Sequence, residues 1–355
     1  MEDLLPKDNE SIPLFEDGPV GPSEPPGYAP GEMVRCETCL RANPPTRVNC
    51  LYCGAVLPVN ENYLHLQQPT LRPLEKWEQG YNIILKPVAA ETLPGNTLTE
   101  AAKLLKSSSE SLSRLVSFQM AMPLCRAASF DEASLIQRRL QDLQLETHIV
   151  TDKELEMEKP VIRIRAAQIG DSGMMLTQAG GSKGLWLPWD DIRLLASGQL
   201  VMKEVETRDQ KKARGEGQLL EATETFTDEA AIDIYGSDTE SYRIAANNFD
   251  FSCLGEQKGL LASNNFLTLI NLLRARAPHA VYDDSYKLVR QVLEVAWPSE
   301  QQTMSRGWRR EFPGKYSIGS VTAASNEVQF TRYTRLLYHL KPGEERTVTQ
   351  CDEEN

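Results

Sequence analysis

The stretch Cys36-Glu-Thr-Cys39-Leu-Arg-Ala-Asn43-Pro44-Pro45, continued by Asn49-Cys50-Leu-Tyr-Cys53-Gly54-Ala-Val-Leu57, holds four of the chain's seven cysteines as C-x2-C, ten residues, C-x2-C. Each C-x2-C pair suits a short turn whose backbone amides face the sulfurs, and two such knuckles can close a tetrahedron around one Zn²⁺. Two disulfides or a dithiol redox motif compete with this reading. A cytoplasmic setting disfavours stable disulfides, and a redox C-x2-C heads a helix in a βαβ unit. Pro44, Pro45 and Gly54 instead make this stretch loop-rich, with no helical period. The spacing predicts one structural zinc on Cys36, Cys39, Cys50 and Cys53, in a zinc ribbon at residues 33–58. Four protein sulfurs leave no coordination position for an activated water, so this centre is expected to do no chemistry.

Outward from the ribbon, the charge is uneven. The 355-residue chain carries 50 acids against 38 Lys and Arg, a formal charge of −12. Residues 1–32 hold eight acids, one Lys and seven prolines, and residues 340–355 hold five acids and two bases. Such segments bury too little apolar surface to offset their ordering entropy, so 1–32 and 341–355 are expected to be disordered tails. Hydrophobic residues at 41% and charged ones at 25% suit a soluble globular protein of two or three domains. No apolar run approaches the roughly 20 residues of a membrane span, and Met1-Glu-Asp-Leu-Leu does not open a secretory signal. The expected location is cytoplasmic.

The Asn-Pro-Pro after the first knuckle and the Cys-Gly-Ala-x-Leu after the second resemble the short zinc ribbons that bacterial proteins carry at one end. The stretch is also similar to the Ran-binding-protein type of zinc finger, with Asn43 four residues after the second cysteine and Arg47 three before the third. It departs from that family at three points. Val34 replaces its Trp, Pro44 replaces the aromatic on which RNA-binding members stack a base, and Leu40-Arg41 replaces the Thr-Phe pair of ubiquitin-binding members. Without the ring at 44, base stacking of about 1–3 kcal/mol per base is lost. Arg35, Arg41 and Arg47 leave the module mildly basic, able to touch phosphate weakly.

After a polar linker at 59–79, Tyr81-Asn-Ile-Ile-Leu-Lys reads as a buried strand and 98–106 and 109–116 as short helices. Residues 120–127 read as a second strand. Ser129 and Glu132 form a capping box for a helix lined by Leu135, Ile136, Leu140 and Leu143, and 146–151 closes the unit as a strand. This β-α-α-β-α-β order over 80–155 resembles the C-terminal domain of the bacterial ribosomal stalk protein and the related adaptor of the Clp protease. The resemblance implies a small α/β sandwich that binds and does no chemistry.

From Pro160 the texture is β. Val161-Ile-Arg-Ile-Arg alternates, 174–177 follows, and Gly184-Leu-Trp-Leu leads to Pro188-Trp189-Asp190-Asp191-Ile192. A turn at Gly198 feeds 199–205, residues 206–228 read as a surface excursion, and strands return at 231–235 and 241–245. A helix from Ser263 bears Phe266, Ile270 and Leu273. Strands with this W-x-x-I corner and one closing helix resemble the small pleckstrin-homology-like barrels. A strand set with one solvated face must cover its other face or open end, and this helix carries the matching apolar stripe, so Trp186, Trp189 and Ile192 are expected to pack against it. A helix over 284–296 stops at Trp297-Pro298, and 315–340 reads as a final hairpin. The expected fold is therefore multidomain α+β: zinc ribbon, small α/β sandwich, then a β-rich domain with closing helices over 160–340.

Catalytic patterns are sparse. There is no Gly-x-Ser-x-Gly elbow, and Gly314-Lys315 lacks the rest of a phosphate loop. His65, His148, His279 and His339 share no ligand spacing. Cys125 and His148 are placed to meet on neighbouring strands, but no third group orients them, and a packed thiol is the simpler reading. Asp190-Asp191 and Asp283-Asp284 suit caps better than a cation site, and Trp186, Trp189 and Trp297 suit core anchors. The expected function is a non-catalytic protein-interaction or regulatory adaptor whose partner is a protein. The alternative is a nucleic-acid or ribosome-associated factor using the basic ribbon, against which the acidic balance weighs.

Overall fold

A computed structural model of the chain describes residues 28–55, 57–58, 69–75, 77–178, 180–181, 184–212, 218–237, 240–312 and 315–340. The disorder expected of the two tails concerns 1–27 and 341–355, which lie outside the described residues. The chain divides into two compact units, Met1–Gln68 and Pro69–Asn355. Strands β1 (Val34–Arg35) and β2 (Ala42–Asn43) pair antiparallel in the first unit, which carries the cysteines.

The second unit is mixed α+β and opens with β3 (Tyr81–Leu85), α1 (Thr97–Leu104), α2 (Ser109–Ser117), β4 (Met122–Ala127), α3 (Phe130–Asp142) and β5 (Thr147–Thr151). The order is the β-α-α-β-α-β read from the sequence. Ser129 Oγ accepts the Glu132 amide at 3.2 Å, while the buried Glu132 carboxylate accepts the amides of Thr70, Leu71 and Ala128. Ser129 thus caps the helix as expected, whereas Glu132, instead of closing the box on the Ser129 amide, anchors the segment entering the unit. The strands pair antiparallel in the order β4-β3-β5.

The remaining strands are β6 (Ile162–Ile169), β7 (Gly173–Gln178), β8 (Gly184–Pro188), β9 (Leu194–Lys212), β10 (Gln218–Tyr235), β11 (Ser241–Ala245), β12 (Val281–Asp283), β13 (Glu300–Phe312) and β14 (Lys315–Ser325). They form one large curled sheet in the order β13-β14-β9-β10-β11-β6-β7-β8, with β12 beside β9. Helices α4 (Ala262–Arg276), α5 (Tyr286–Leu293) and α6 (Glu327–His339) accompany it. One apolar core joins Ile164, Met174, Leu176, Trp189, Ile192 and Ile244 to Phe266, Ile270 and Leu273 of α4. Trp189 is 4% exposed and its indole donates to the Gly170 carbonyl at 3.1 Å.

Four expectations need correction. Gly198 makes no turn: β9 runs straight through it, pairing it with Ala231 of β10. Trp186 is half exposed, lying across Gly170 and Gly173 rather than in the core; a methyl group on Gly173 would meet its ring at 2.7 Å. The stretch 206–228 is no simple surface excursion: β9 runs on to Lys212 and β10 begins at Gln218, and their antiparallel ladder also pairs β9 with β14. Residues 222–228 are all exposed, so the apolar alternation that marks a strand is missing there. The final hairpin is instead β14 followed by α6, and β14 lies between β13 and β9 in the sheet. Phe330, Tyr333 and Leu336 recur every third residue and are buried, a helical period that outweighs the strand preference of the neighbouring Thr and Tyr residues.

A second core unites the small three-stranded sheet with the C-terminal helices. Ile83, Leu124, Ile136 and Leu140 belong to the same buried cluster as Tyr286, Val289, Trp297 and Phe330. Gly198 makes room for it: a Cβ there would lie 2.5 Å from the Phe330 ring and 2.8 Å from that of Tyr286. The Trp297 indole, fully buried, donates to Asn82 Oδ1 at 2.7 Å, and Asn82 Nδ2 donates to Val150 O and Asp152 Oδ1, each at 3.0 Å.

Two substitutions test this packing. Trp189→Ala should cost about 3–5 kcal/mol through the cavity it opens. Asn82→Ala should cost on the order of 2–3 kcal/mol, because it strands the buried indole N–H and strips a donor from Asp152. Urea unfolding of each variant measures both, and a change within about 0.5 kcal/mol would contradict the assigned burial.

Candidate metal centre

The local fold of each knuckle follows from its two cysteines. Leu40 N donates to Cys36 O at 2.8 Å and Cys36 N to Arg41 O at 3.0 Å; in the second knuckle Gly54 N donates to Cys50 O at 3.0 Å and Cys50 N to Ala55 O at 2.7 Å. The same turn is built twice. In both, the residue after the second cysteine is left-handed, with φ +61° at Leu40 and +75° at Gly54. Asn43, fully buried, ties the knuckles together: its Nδ2 donates to Arg41 O at 2.9 Å and to Cys50 Sγ at 3.5 Å, and its Oδ1 accepts the Leu51 amide at 2.8 Å. Sequence reasoning marked Asn43 by its position alone and missed this role. Its signal was a polar residue of a size to reach both knuckles.

The four sulfurs all lie within 4.8 Å of one another, with Cys36 to Cys53 at 3.6 Å and Cys39 to Cys50 at 3.5 Å. A tetrahedral thiolate centre with metal–sulfur bonds of about 2.3 Å separates its sulfurs by about 3.8 Å, so the spacing fits a metal ion. It does not fit disulfides, whose sulfurs are about 2 Å apart, and the six described cysteines are free. Among the described residues this is the group of metal-ligating side chains that comes together.

The electrostatics prepare the ligands. Burial opposes ionisation of Cys50, but the amides of Tyr52 and Cys53, with Cys39 and Asn43, outweigh it and bring the thiol from 9.0 to about 6. Cys36 is lowered chiefly by the Cys39 amide. Cys53 moves the other way, to about 12: the Ala55 amide lowers it, but burial and the three neighbouring sulfurs raise it more. Crowded thiolates repel, and a divalent cation is what relieves them.

The other sequence candidates do not assemble. Cys125 and His148 sit on β4 and β5, which flank β3, so a strand separates them; Cys125 is buried and His148 exposed. Burial pushes the Cys125 thiol well above its ordinary range, which makes it a core residue and not a nucleophile. Asp283 accepts the Ser285 amide at 3.1 Å and the Tyr333 hydroxyl at 2.9 Å in the turn before α5, and Asp284 pairs with Lys287 at 2.7 Å, so neither caps the helix, whose N-cap Ser285 makes no side-chain cap bond. Trp189 and Trp297 are core anchors. Among the described residues no helix is long and apolar enough to cross a membrane.

Cys50→Ser should unfold the ribbon and leave the thermal transition of the second unit in place. Since protons compete with metal for the thiolates, a metal-loaded chain should release its ion as pH falls below the Cys50 value of about 6, and hold it as pH rises. A colorimetric metal indicator followed through an acid titration reads this directly; release on raising the pH would contradict it. Comparison of the chain with family models, with curated proteins and with solved structures found no match, so the chemistry of the centre rests on its own four sulfurs and their surroundings.

Proposed function

We propose that the chain is a non-catalytic zinc-ribbon protein that acts as a protein-interaction or regulatory adaptor. Zinc suits four converging thiolates, and one structural Zn²⁺ per chain on Cys36, Cys39, Cys50 and Cys53 closes the ribbon. Free thiols at the six described cysteines fit a reducing, cytoplasmic setting. The two meanders β6–β8 and β9–β11 with α4 against them support the pleckstrin-homology-like reading of the curled sheet, and β3–β5 with their helices support the small α/β sandwich.

Leu40 carries the interaction reading. Gly54 fills the equivalent left-handed position of the second knuckle, where a side chain costs roughly 1–2 kcal/mol, yet the first knuckle places there a leucine that is 63% exposed. That leucine neither packs nor relieves strain. Leu51 and Tyr52 are exposed on the same module, and Arg41 lies 4.7 Å over the Tyr52 ring. An apolar and cationic surface kept against local strain is the signature of a contact site.

Leu40→Gly is the test. The variant should keep one zinc per chain by elemental analysis and gain about 1 kcal/mol of ribbon stability. It should also lose the protein that co-purifies with the wild-type chain from its native cell after nuclease treatment. Retention of that partner by Leu40→Gly sinks the reading. Disappearance of the partner on nuclease treatment would instead favour nucleic-acid association, for which the exposed Tyr52 ring offers the stacking surface that Pro44 does not.

A further inference from the structure

Strand β4 is an edge of its small sheet and carries a register shift opposite Ile83 and Ile84, which leaves Leu124 as the extra residue of a bulge. Against that bulge opens a cavity of about 430 Å³, within the size range of small-molecule sites. Leu71, Leu124, Val295 and Pro298 contribute apolar wall, and the entering segment, β4, the end of α5 and α6 all reach it. Bulges commonly re-aim side chains beside functional sites.

The charges around the cavity do not match. Arg72, Lys106, Arg126 and Arg332 line it, against Glu75 and Glu300. Arg72 is held by Glu78, with one contact at 2.7 Å, and Lys106 donates to the Thr70 carbonyl at 2.8 Å. Deeper, two guanidinium groups meet one carboxylate. Asp152 already accepts from Gly80 N at 2.9 Å, Asn82 Nδ2 at 3.0 Å and Arg126 Nε at 3.1 Å, together with Arg126 Nη2. Arg332 therefore reaches it no closer than 3.8 Å, although its side chain is only 15% exposed. Arg332 Nε is buried with no hydrogen-bond partner. Burial holds this arginine below its ordinary range, with Asp152 and, less strongly, Glu300 offsetting the effect in part and Arg126 adding to it. A buried cation with an orphan donor is costly unless an anion meets it.

We infer that this cavity binds a small organic oxyanion, its carboxylate or phosphate head on Arg332 and its apolar body along Leu124 and Val295. The head would complete the hydrogen bonding of Arg332, and the body would cover the wall beside the β4 bulge. This site lies wholly in the second unit and does not depend on the ribbon or on the adaptor reading.

The experiment uses the full chain and reads its thermal transition with sodium hexanoate, hexylamine and inorganic phosphate. Hexanoate at about ten times its dissociation constant should raise the transition by about 2–4 °C and saturate, whereas hexylamine should not. In Arg332→Met the hexanoate shift should vanish whatever the variant's own transition temperature. Should that variant fail to fold, Val295→Glu decides: Val295 is 49% exposed on the cavity wall, and a carboxylate placed there should meet Arg332 and abolish the shift. No shift with hexanoate up to about 50 mM, an equal shift with hexylamine, or a hexanoate shift that survives Val295→Glu overturns the inference. A shift with phosphate alone retains the oxyanion head and overturns the apolar body.

Discussion

The hydrogen bond from the Trp297 indole to Asn82 joins positions 215 residues apart, and much of the second unit is arranged around it. A buried N–H needs a partner, and Asn82 is held as one because its own amide is fixed by Val150 and Asp152. Asp152 in turn holds Gly80 and Arg126. The central strand of the small sheet, its neighbour and the end of α5 thus share one polar chain inside an apolar cluster. Elements before residue 152 and after residue 285 complete a single core. Closing contacts this distant in the chain costs loop entropy before any gain from contact.

Helix α6 receives a second set of constraints from the opposite side. Arg243 and Asp233, 1% and 0% exposed, form a two-pronged pair at 2.7 and 2.8 Å, and Thr331 and Thr334 of α6 bond into it. Arg335 donates to carbonyls of the turn after β5, including Lys159 O at 2.6 Å. A buried ion pair adds little net stability over an apolar pair, but with Thr331 and Thr334 bonded into it, it leaves few alternative registers for the helix. Between the clasp at Asp233 and the apolar contact at Gly198, α6 can sit in one place. Its Arg332 is left against a carboxylate already saturated, so the mismatch follows from packing demands on either side.

What the sequence disclosed divides along local and non-local lines. The knuckle spacing, the Ser129 cap and the stripe Phe266, Ile270, Leu273 are patterns within a few residues, and each formed as read. The errors have non-local causes. The Thr and Tyr content around Phe330 suggested strand, while burial against the small sheet selected helix. The β9–β10 extension lacked an alternating stripe because residues 222–228 meet solvent on both faces. Cys125 and His148 were placed together because the order β4-β3-β5 is a property of pairing, invisible in either strand alone. Asn82 was illegible for the same reason: as a polar residue inside Tyr-Asn-Ile-Ile-Leu it is a liability until the indole that requires it is known.

The two units obtain stability by different means, and this bears on where function can reside. The ribbon's buried apolar cluster is Val34, Cys36, Cys50 and Leu57, far too small to offset the ordering of its backbone without a staple. A metal held by the four sulfurs would supply that folding energy, so this module can carry a local cost elsewhere, and Leu40 in a left-handed turn is such a cost. The second unit has cores large enough to tolerate an orphaned donor at Arg332. Departures from local consistency persist only where surrounding structure over-determines them. Of these departures, Leu40 lies on an exposed surface and Arg332 beside a cavity, so those two places, and not the cores, are where a partner or ligand would change the energy most.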